Sequence, residues 1–423
     1  MPLTTIKAGA AAPQSRDSET AAAVGRIIAD VRTRGEAALL DYAARFDHAA
    51  LSTVRVEARA LRDAARRVDS ATLEAIRFAA GRIRAFAERQ RACLHDLSYA
   101  DAEVPGLVVG HRFVPVDRAG CYVPGGRYPL PSSALMTVLT AKAAGVARVA
   151  ACSPPSADGG IHPAVLAALD IAGADEVYCM GGAQAIAAFA YGAGAVRKVD
   201  LIVGPGNRFV TEAKRQVQGD VGIDGLAGPS EVLIIADGGA DPRAVAADLA
   251  AQAEHDPDAR AVLVALDRPF IEAVSAALEA LLEALPTGKT ARAAWAAHGA
   301  LLLADTLEDA IAFANDMAPE HIELQVAHDA ARRIAGGLRH YGSLFGGYAA
   351  PVPIGDFVSG TNHVLPTGGA ARFSGGLSVA AFLRPQFFQY LPPEALRVLA
   401  PPALTLAAAE GLAAHGESLR ARL

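Results

Sequence analysis

Between residues 147 and 326 the chain alternates short apolar runs with longer segments whose apolar positions recur every three or four residues. The runs at 147–152, 176–180, 199–203, 231–236, 261–265 and 300–304 have the length and composition of strands. Residues 321–326 (His-Ile-Glu-Leu-Gln-Val) alternate apolar and polar positions, as a strand does. Helices are predicted at 161–172, 183–190, 207 to about 218, 241–256, from Pro269 onward and at 307–315. The fourth is cleanly bounded: Asp241 caps it, Pro242 takes its first turn and Asp256-Pro257 ends it. Apolar strands alternating with helices imply parallel sheets covered by helices, an α/β fold.

Upstream, 17–47 and 56–92 are amphipathic, Ala/Arg/Glu-rich helical segments, followed by a strand-rich patch at 107–116 and a Gly/Pro loop at 119–133. Downstream, Pro385 to Leu423 is predicted helical with a break at Pro401-Pro402. The expected organisation is an N-terminal arm (1–16), a main α/β domain (17–121 with 233–376), a second α/β domain (122–232) and a C-terminal helical tail (377–423).

Pro353 to Gly369 breaks the pattern. Asp356, Ser359, Thr361, Asn362 and His363 lie among four glycines, and no helical or strand period accommodates them. The segment is predicted to be a loop with a rigid exit at Pro366; polar loops between apolar elements are where function concentrates, although the same residues also make ordinary turns.

Composition narrows the classes. Apolar residues make up 52% of the 423 and aromatics 6%, a globular balance, and the net charge of −6 offers no basic footprint for nucleic acid or anionic membrane. The four cysteines (Cys93, Cys121, Cys152, Cys179) form no CxxC pair, which argues against a disulfide framework or a thiolate zinc site and for a reduced, cytoplasmic setting. The start lacks a signal-peptide core. Residues 177–196 carry no charge, but Gln184 and the paired Gly181-Gly182 mark a buried strand, turn and helix, not a membrane span.

Candidate chemistry sits at element ends. Gln252 and His255, at i and i+3, share a helix face, and with Asp356 and His415 they offer donors suited to zinc or a similar divalent ion. A polar helix terminus explains the first pair equally well, and spacing does not make the four converge. Glu320-His321 stands where a helix stops and a strand begins, a setting for general acid–base work or for an exposed loop pair. Glu410 and His415 lie about 140° apart on a regular helix, so they share a face only if Gly411 distorts it. Gly204-Pro-Gly-Asn207 opens a helix as a phosphate or ribose cradle would, without the lysine of a P-loop, and no GxGxxG fingerprint follows a strand.

Several ordered motifs together resemble the histidinol dehydrogenase family, from about residue 20 to the C-terminus. They are Tyr122-Val-Pro-Gly-Gly126, Gly181-Gly-Ala-Gln184-Ala-Ile, Gly204-Pro-Gly-Asn207-x-Phe-Val-Thr-Glu-Ala-Lys214, Ala227-Gly-Pro-Ser230-Glu, Gln252-Ala-Glu-His255, Pro319-Glu-His321, Gly355-Asp356-x3-Gly-Thr-Asn-His363 and Glu410-Gly-x3-His415. The resemblance implies two Rossmann-like α/β/α domains of aldehyde-dehydrogenase-like type, with helical extensions at both ends. It also implies a zinc-dependent homodimer that oxidises L-histidinol to L-histidine through histidinal with two NAD⁺, the last steps of histidine biosynthesis.

Carried over by the resemblance, Gln252, His255, Asp356 and His415 look like zinc ligands, the last supplied by a partner's tail. His321 resembles the general base and Glu320 the group that activates water. Ser230, His363 and Glu410 match substrate-contacting positions, and Tyr122, Gln184 and Asn207 match NAD⁺-holding ones in the 122–232 domain. Residues 127–133 and 370–376 depart from the commoner pattern and are similar to relatives that oxidise sulfonated diols; such a substrate calls for a cation, and Arg127 or Arg372 is available. A third chemistry, a cysteine-dependent aldehyde dehydrogenase, would have to use Cys121 or Cys152.

Overall fold

The computed structural model describes residues 3–10, 17–125, 128–156 and 159–423. In chain order the first strands are β1 (Leu3–Lys7), β2 (Leu97–Ala100), β3 (Val108–Pro115), β4 (Arg118–Tyr122), β5 (Arg148–Ser153), β6 (Glu176–Cys179), β7 (Leu201–Val203) and β8 (Gly222–Ile223). The second half adds β9 (Glu231–Ala236), β10 (Arg260–Ala265), β11 (Ala300–Ala304), β12 (His321–Gln325), β13 (Ser343–Gly346) and β14 (Leu383–Tyr390).

Two parallel sheets carry the molecule. One has the order β6-β5-β4-β7-β8 and the other β1-β11-β10-β9-β12-β13, with β1 antiparallel at its edge. Counted from β4 and from β9, both follow the order third, second, first, fourth, fifth, that of a mononucleotide-binding half. The two Rossmann-like α/β units read from the alternation are therefore present. Their central strands are buried on both faces, as in β9 (Glu-Val-Leu-Ile-Ile-Ala, buried at every position), because helices cover both sides.

The helices Ser18–Arg34 and Glu36–Phe46 bury Val24, Ile27, Val31 and Leu39 against Ile186, Phe189 and Val210 of the five-stranded unit. Ser70–Ala92 packs Ile76 and Ile83 against Leu135, Leu139 and Leu169 of the same unit. The N-terminal helices thus belong with the five-stranded sheet, not with 233–376 as the sequence grouping had it; their apolar stripes match its uncovered faces.

Several elements differ from expectation. β4 lies inside the segment read as a Gly/Pro loop, and Gly120 is a strand residue because a Cβ there would stand 2.8 Å from the Phe189 ring. Residues 383–390 form a strand, not a helix; β14 pairs only with β3 at a sheet edge, where Pro385 loses no partner. The helix Pro393–Ala409 runs through Pro401-Pro402, and the carbonyls left without N–H donors belong to the exposed Arg397 and Val398. The break comes at Gly411, whose φ of 72° ends the helix before Ala413–Arg420 begins. The loop at 353–369 opens with a short helix, Val352–Phe357. Among the described residues no helix is long and apolar enough to cross a membrane, and 177–196 folds as β6 followed by the buried helix Gly182–Tyr191.

Candidate active site

β9 and β12 are parallel neighbours with His321 opposite Val232, so Ser230 and Glu320 meet at the amino ends of adjoining strands. Glu320 is buried, and its carboxylate accepts hydrogen bonds from Ser230 Oγ at 2.6 Å and from the Glu231 amide at 2.9 Å. Burial pushes its carboxyl above the usual range, while His321 and these two donors pull the other way. His321 Nδ1 lies 3.2 Å from the Glu231 carbonyl and 3.6 Å from Glu320; Nε2 faces Asp356 at 3.6 Å and has no hydrogen-bond partner among the described residues. A bond from Nδ1–H to that carbonyl selects the tautomer with Nε2 as acceptor. Burial alone would lower the imidazole, but the carboxylates of Glu320 and Asp356 outweigh it and hold it at about 9.

Asp356 sits on the short helix Val352–Phe357, seated closely because Gly355 meets the Phe345 ring where a Cβ would be 2.4 Å away. The Asp356 carbonyl accepts from His363 Nδ1 at 2.9 Å, and His363 Nε2 is 3.1 Å from Ser133 Oγ in the helix Pro131–Ala144. That contact, with Asn362 donating to the Met136 carbonyl at 3.0 Å, ties the 353–369 segment to the five-stranded unit.

Gln252 is buried in the last turn of the helix Pro242–Ala253, and its amide nitrogen has no partner among the described residues. His255 lies beyond the helix end and is exposed, so the shared helical face of the sequence reading does not extend to it. It is still near enough to help depress the Asp356 carboxyl, after the larger contribution of His321 against burial. Glu410 and His415 are exposed on the tail, on either side of the Gly411 break. Among the described residues no three His, Cys, Asp or Glu side chains form a metal cluster. The donors of one chain fit a divalent ion in part: a carboxylate, an imidazole and the Gln252 amide, whose oxygen would be the ligating atom.

The second crevice lies at the carboxyl ends of β4 and β7, where the strand order reverses. Tyr122 ends β4 and its hydroxyl accepts from the Gly182 amide at 3.2 Å, beside Gln184 in the first turn of Gly182–Tyr191. Asn207 caps the helix Arg208–Val217, accepting from Phe209 and Val210 at 3.0 and 3.2 Å, which leaves its amide nitrogen for a ligand. Gly204 has a φ of 116°, and a Cβ there would meet the Tyr122 carbonyl at 2.1 Å. The sequence reading did not foresee that Lys214 and Asp224, both buried, clamp this turn: Asp224 accepts from the Gly204 amide at 2.7 Å, and Lys214 donates to the Gly204 carbonyl at 2.8 Å and to Asp224. A lysine on an otherwise buried helix face was the available signal. Thr211 donates to the Ala227 carbonyl at 2.8 Å, joining this crevice to the segment that leads into Ser230.

The rival readings fare differently. Arg372 bonds the Asp316 carbonyl at 2.6 Å, on the helix Leu307–Met317, and Arg127 lies outside the described residues. Cys121 and Cys152 are fully buried; burial pushes Cys121 up to about 12 and Cys152 well above its usual value, so neither supplies a thiolate.

Residues 10–423 match the family model for histidinol dehydrogenase. A histidinol dehydrogenase of Gluconobacter oxydans is 46% identical over 98% of this chain and 95% of its own length. One from Rhizobium meliloti is 47% identical over 95% and 92%. The crystal structure of a histidinol dehydrogenase from Elizabethkingia anophelis superposes with a TM-score of 0.90 at 33% identity, covering 98% of this chain and 94% of that one. Matched over nearly its whole length by the family model and by these relatives, the chain belongs to the histidinol dehydrogenase family of oxidoreductases.

Proposed function

We propose that the chain oxidises L-histidinol to L-histidine through L-histidinal, reducing two NAD⁺. The observation that carries this is the buried Glu320-His321 pair, whose ring nitrogen Nε2 is aimed, unpaired, into the space beside Asp356. In the first step His321, in the neutral form that grows as pH rises toward about 9, takes the hydroxyl proton as the carbinol carbon yields a hydride to the nicotinamide, leaving the aldehyde. Glu320 and Asp356 flanking the ring favour the imidazolium that then forms. In the second step Glu320, whose basicity burial raises, removes a proton from water adding to the aldehyde. The resulting hydrate gives its hydride to the second NAD⁺ and becomes the carboxylate.

Ser230 and His363 line the substrate side, and Tyr122, Gln184 and Asn207 hold the dinucleotide at the β4/β7 crevice. A zinc ion held by Gln252, His255, Asp356 and His415 would anchor the amine and imidazole of the substrate and polarise its hydroxyl. His415 and Glu410 are read as coming from a second copy in a homodimer; their tail is exposed and bears uncovered apolar side chains such as Leu406 (62% exposed), and Phe387 and Tyr390 of β14 are exposed as well. The free cysteines fit a cytoplasmic enzyme.

The named relatives do not favour the sulfonated-diol alternative. Steady-state NADH production on zinc-replete protein tests the reading: two NADH per L-histidinol is expected, and no turnover would refute it.

A further inference from the structure

Asp248, Glu323 and Gln325 form a polar cluster that the proposed chemistry does not touch. Glu323 and Gln325 are wholly buried on β12, at 0% and 2% exposure, and Asp248 is half-buried on the helix Pro242–Ala253. Gln325 Nε2 stands 3.3 Å from Glu323 Oε2 and 3.4 Å from Asp248 Oδ2, so one amide group bridges the two carboxyls. The other Glu323 oxygen accepts from the Val352 amide at 2.7 Å.

The partners are informative. Asp248 lies one helical turn before Gln252, on the same face of its helix. Val352 is the first residue of the short helix that carries Asp356, and its N–H is one of the donors that a helix start leaves unsatisfied. The carboxyl pair, bridged by Gln325, is therefore a hydrogen-bonded link between two separate elements, one bearing Gln252 and the other Asp356. Two ionised carboxylates do not persist together at this depth. Burial raises both, and Asp248 raises Glu323 further, so the pair holds a proton and binds through it. An apolar pair would fill the same space; what it would not do is set the spacing of these two helices through directed bonds.

We propose that Asp248 and Glu323 are positioning residues that fix the Gln252 and Asp356 donors relative to one another. This rests on the reading that those two residues help hold a divalent ion. Partners of this outer kind, when removed, characteristically weaken metal affinity about 10–100-fold.

The test is zinc affinity of the purified full-length protein by competition with a chromogenic chelator, with unfolding midpoints measured in parallel. Glu323→Ala is expected to weaken zinc binding by about 10–100-fold. Glu323→Gln keeps an oxygen for the Val352 amide and presents an N–H toward Asp248 and Gln325, whose own amide turns to offer its oxygen, and is expected to restore affinity close to wild type. Asp248→Ala, an exchange that suits a helix, should weaken zinc binding in the same way and serves if Glu323→Ala does not fold. Alanine variants that melt lower yet bind zinc as the wild type does would overturn the positioning role while leaving the metal reading intact. A wild-type protein that takes up no zinc would overturn both.

Discussion

His321 sits between a carbonyl and two carboxylates, and each neighbour constrains a different property of the ring. The Glu231 carbonyl sets the tautomer, while Glu320 and Asp356 set how firmly a proton is held. Replacing the ring by an amide of similar reach removes the proton acceptor and leaves the donors on other elements in place. His321→Asn should therefore lower turnover by about 10²–10⁴-fold, with zinc content unchanged, as read by NADH production and metal analysis. Retained activity would remove His321 from the mechanism. Glu231 makes a separate prediction. Its side chain, buried beside Glu320, is raised from 4.5 to about 7 by burial and then by that neighbour, against a hydrogen bond from the Gly368 amide. A carboxyl that titrates higher when folded contributes its full stability at low pH, and loses it as pH rises from the unfolded value toward 7. Unfolding midpoints at pH 5 and pH 8 should thus show Glu231→Gln gaining on the wild type at the higher pH, and an equal difference at both would refute the assignment. The Glu320-His321 pair was legible because Glu and His stand together in the chain; the carbonyl and carboxyl that tune them come from residues far away in sequence.

At the scale of elements, the turn Gly204–Asn207, the proposed cofactor cradle, is kept in shape without a GxGxxG sequence. Lys214 and Asp224 bind both backbone groups of Gly204 and each other, and both side chains are 4% exposed. Truncating one partner strands the other's charge in the interior, at a cost of about 3–5 kcal/mol. Asp224→Ala should lower the denaturant midpoint accordingly and raise KM for NAD⁺ more than KM for L-histidinol; equal effects on the two would argue against the cradle. Most helices and strands of the α/β core were legible to within a few residues, since each buries an apolar stripe of the right period; the short strands β8 and β13 and the helices Gly288–His298 and His328–Ala335 were not. β4 was not, because the glycine that lets it pass Phe189 also reads as loop. β14 was not, because proline in an edge strand and proline in a helix tail look alike without the pairing partner.

For the whole molecule, the residues proposed for the site come from both sheets. Carboxyl ends of the five-stranded sheet supply Tyr122, Gln184 and Asn207, amino ends of the six-stranded sheet supply Ser230 and Glu320, and the 353–369 segment bridges them through His363 and Asn362. Glu410 and His415 lie on an exposed tail. If they complete the site of a second copy, inactive His321→Asn and His415→Asn subunits refolded together should recover about a quarter of wild-type activity, since half the dimers are mixed and each mixed dimer has one intact site. Failure to recover activity after verified mixing would place the tail in its own subunit's site.

By itself the sequence determined the α/β class, the alternation of elements and the ordered motifs that carry the family, because these depend on local periodicity and on residues adjacent in the chain. It also marked 353–369 as the exceptional stretch. Only the tertiary structure decided that this stretch starts as a helix locked by Gly355 and that the N-terminal helices cover the five-stranded sheet. Likewise, Asp248 and Glu323 stand behind the candidate metal donors, and Lys214 and Asp224 behind the nucleotide turn, by virtue of the fold alone. These are contacts between distant segments, and a buried polar residue has no signature in sequence until the group that satisfies it is known.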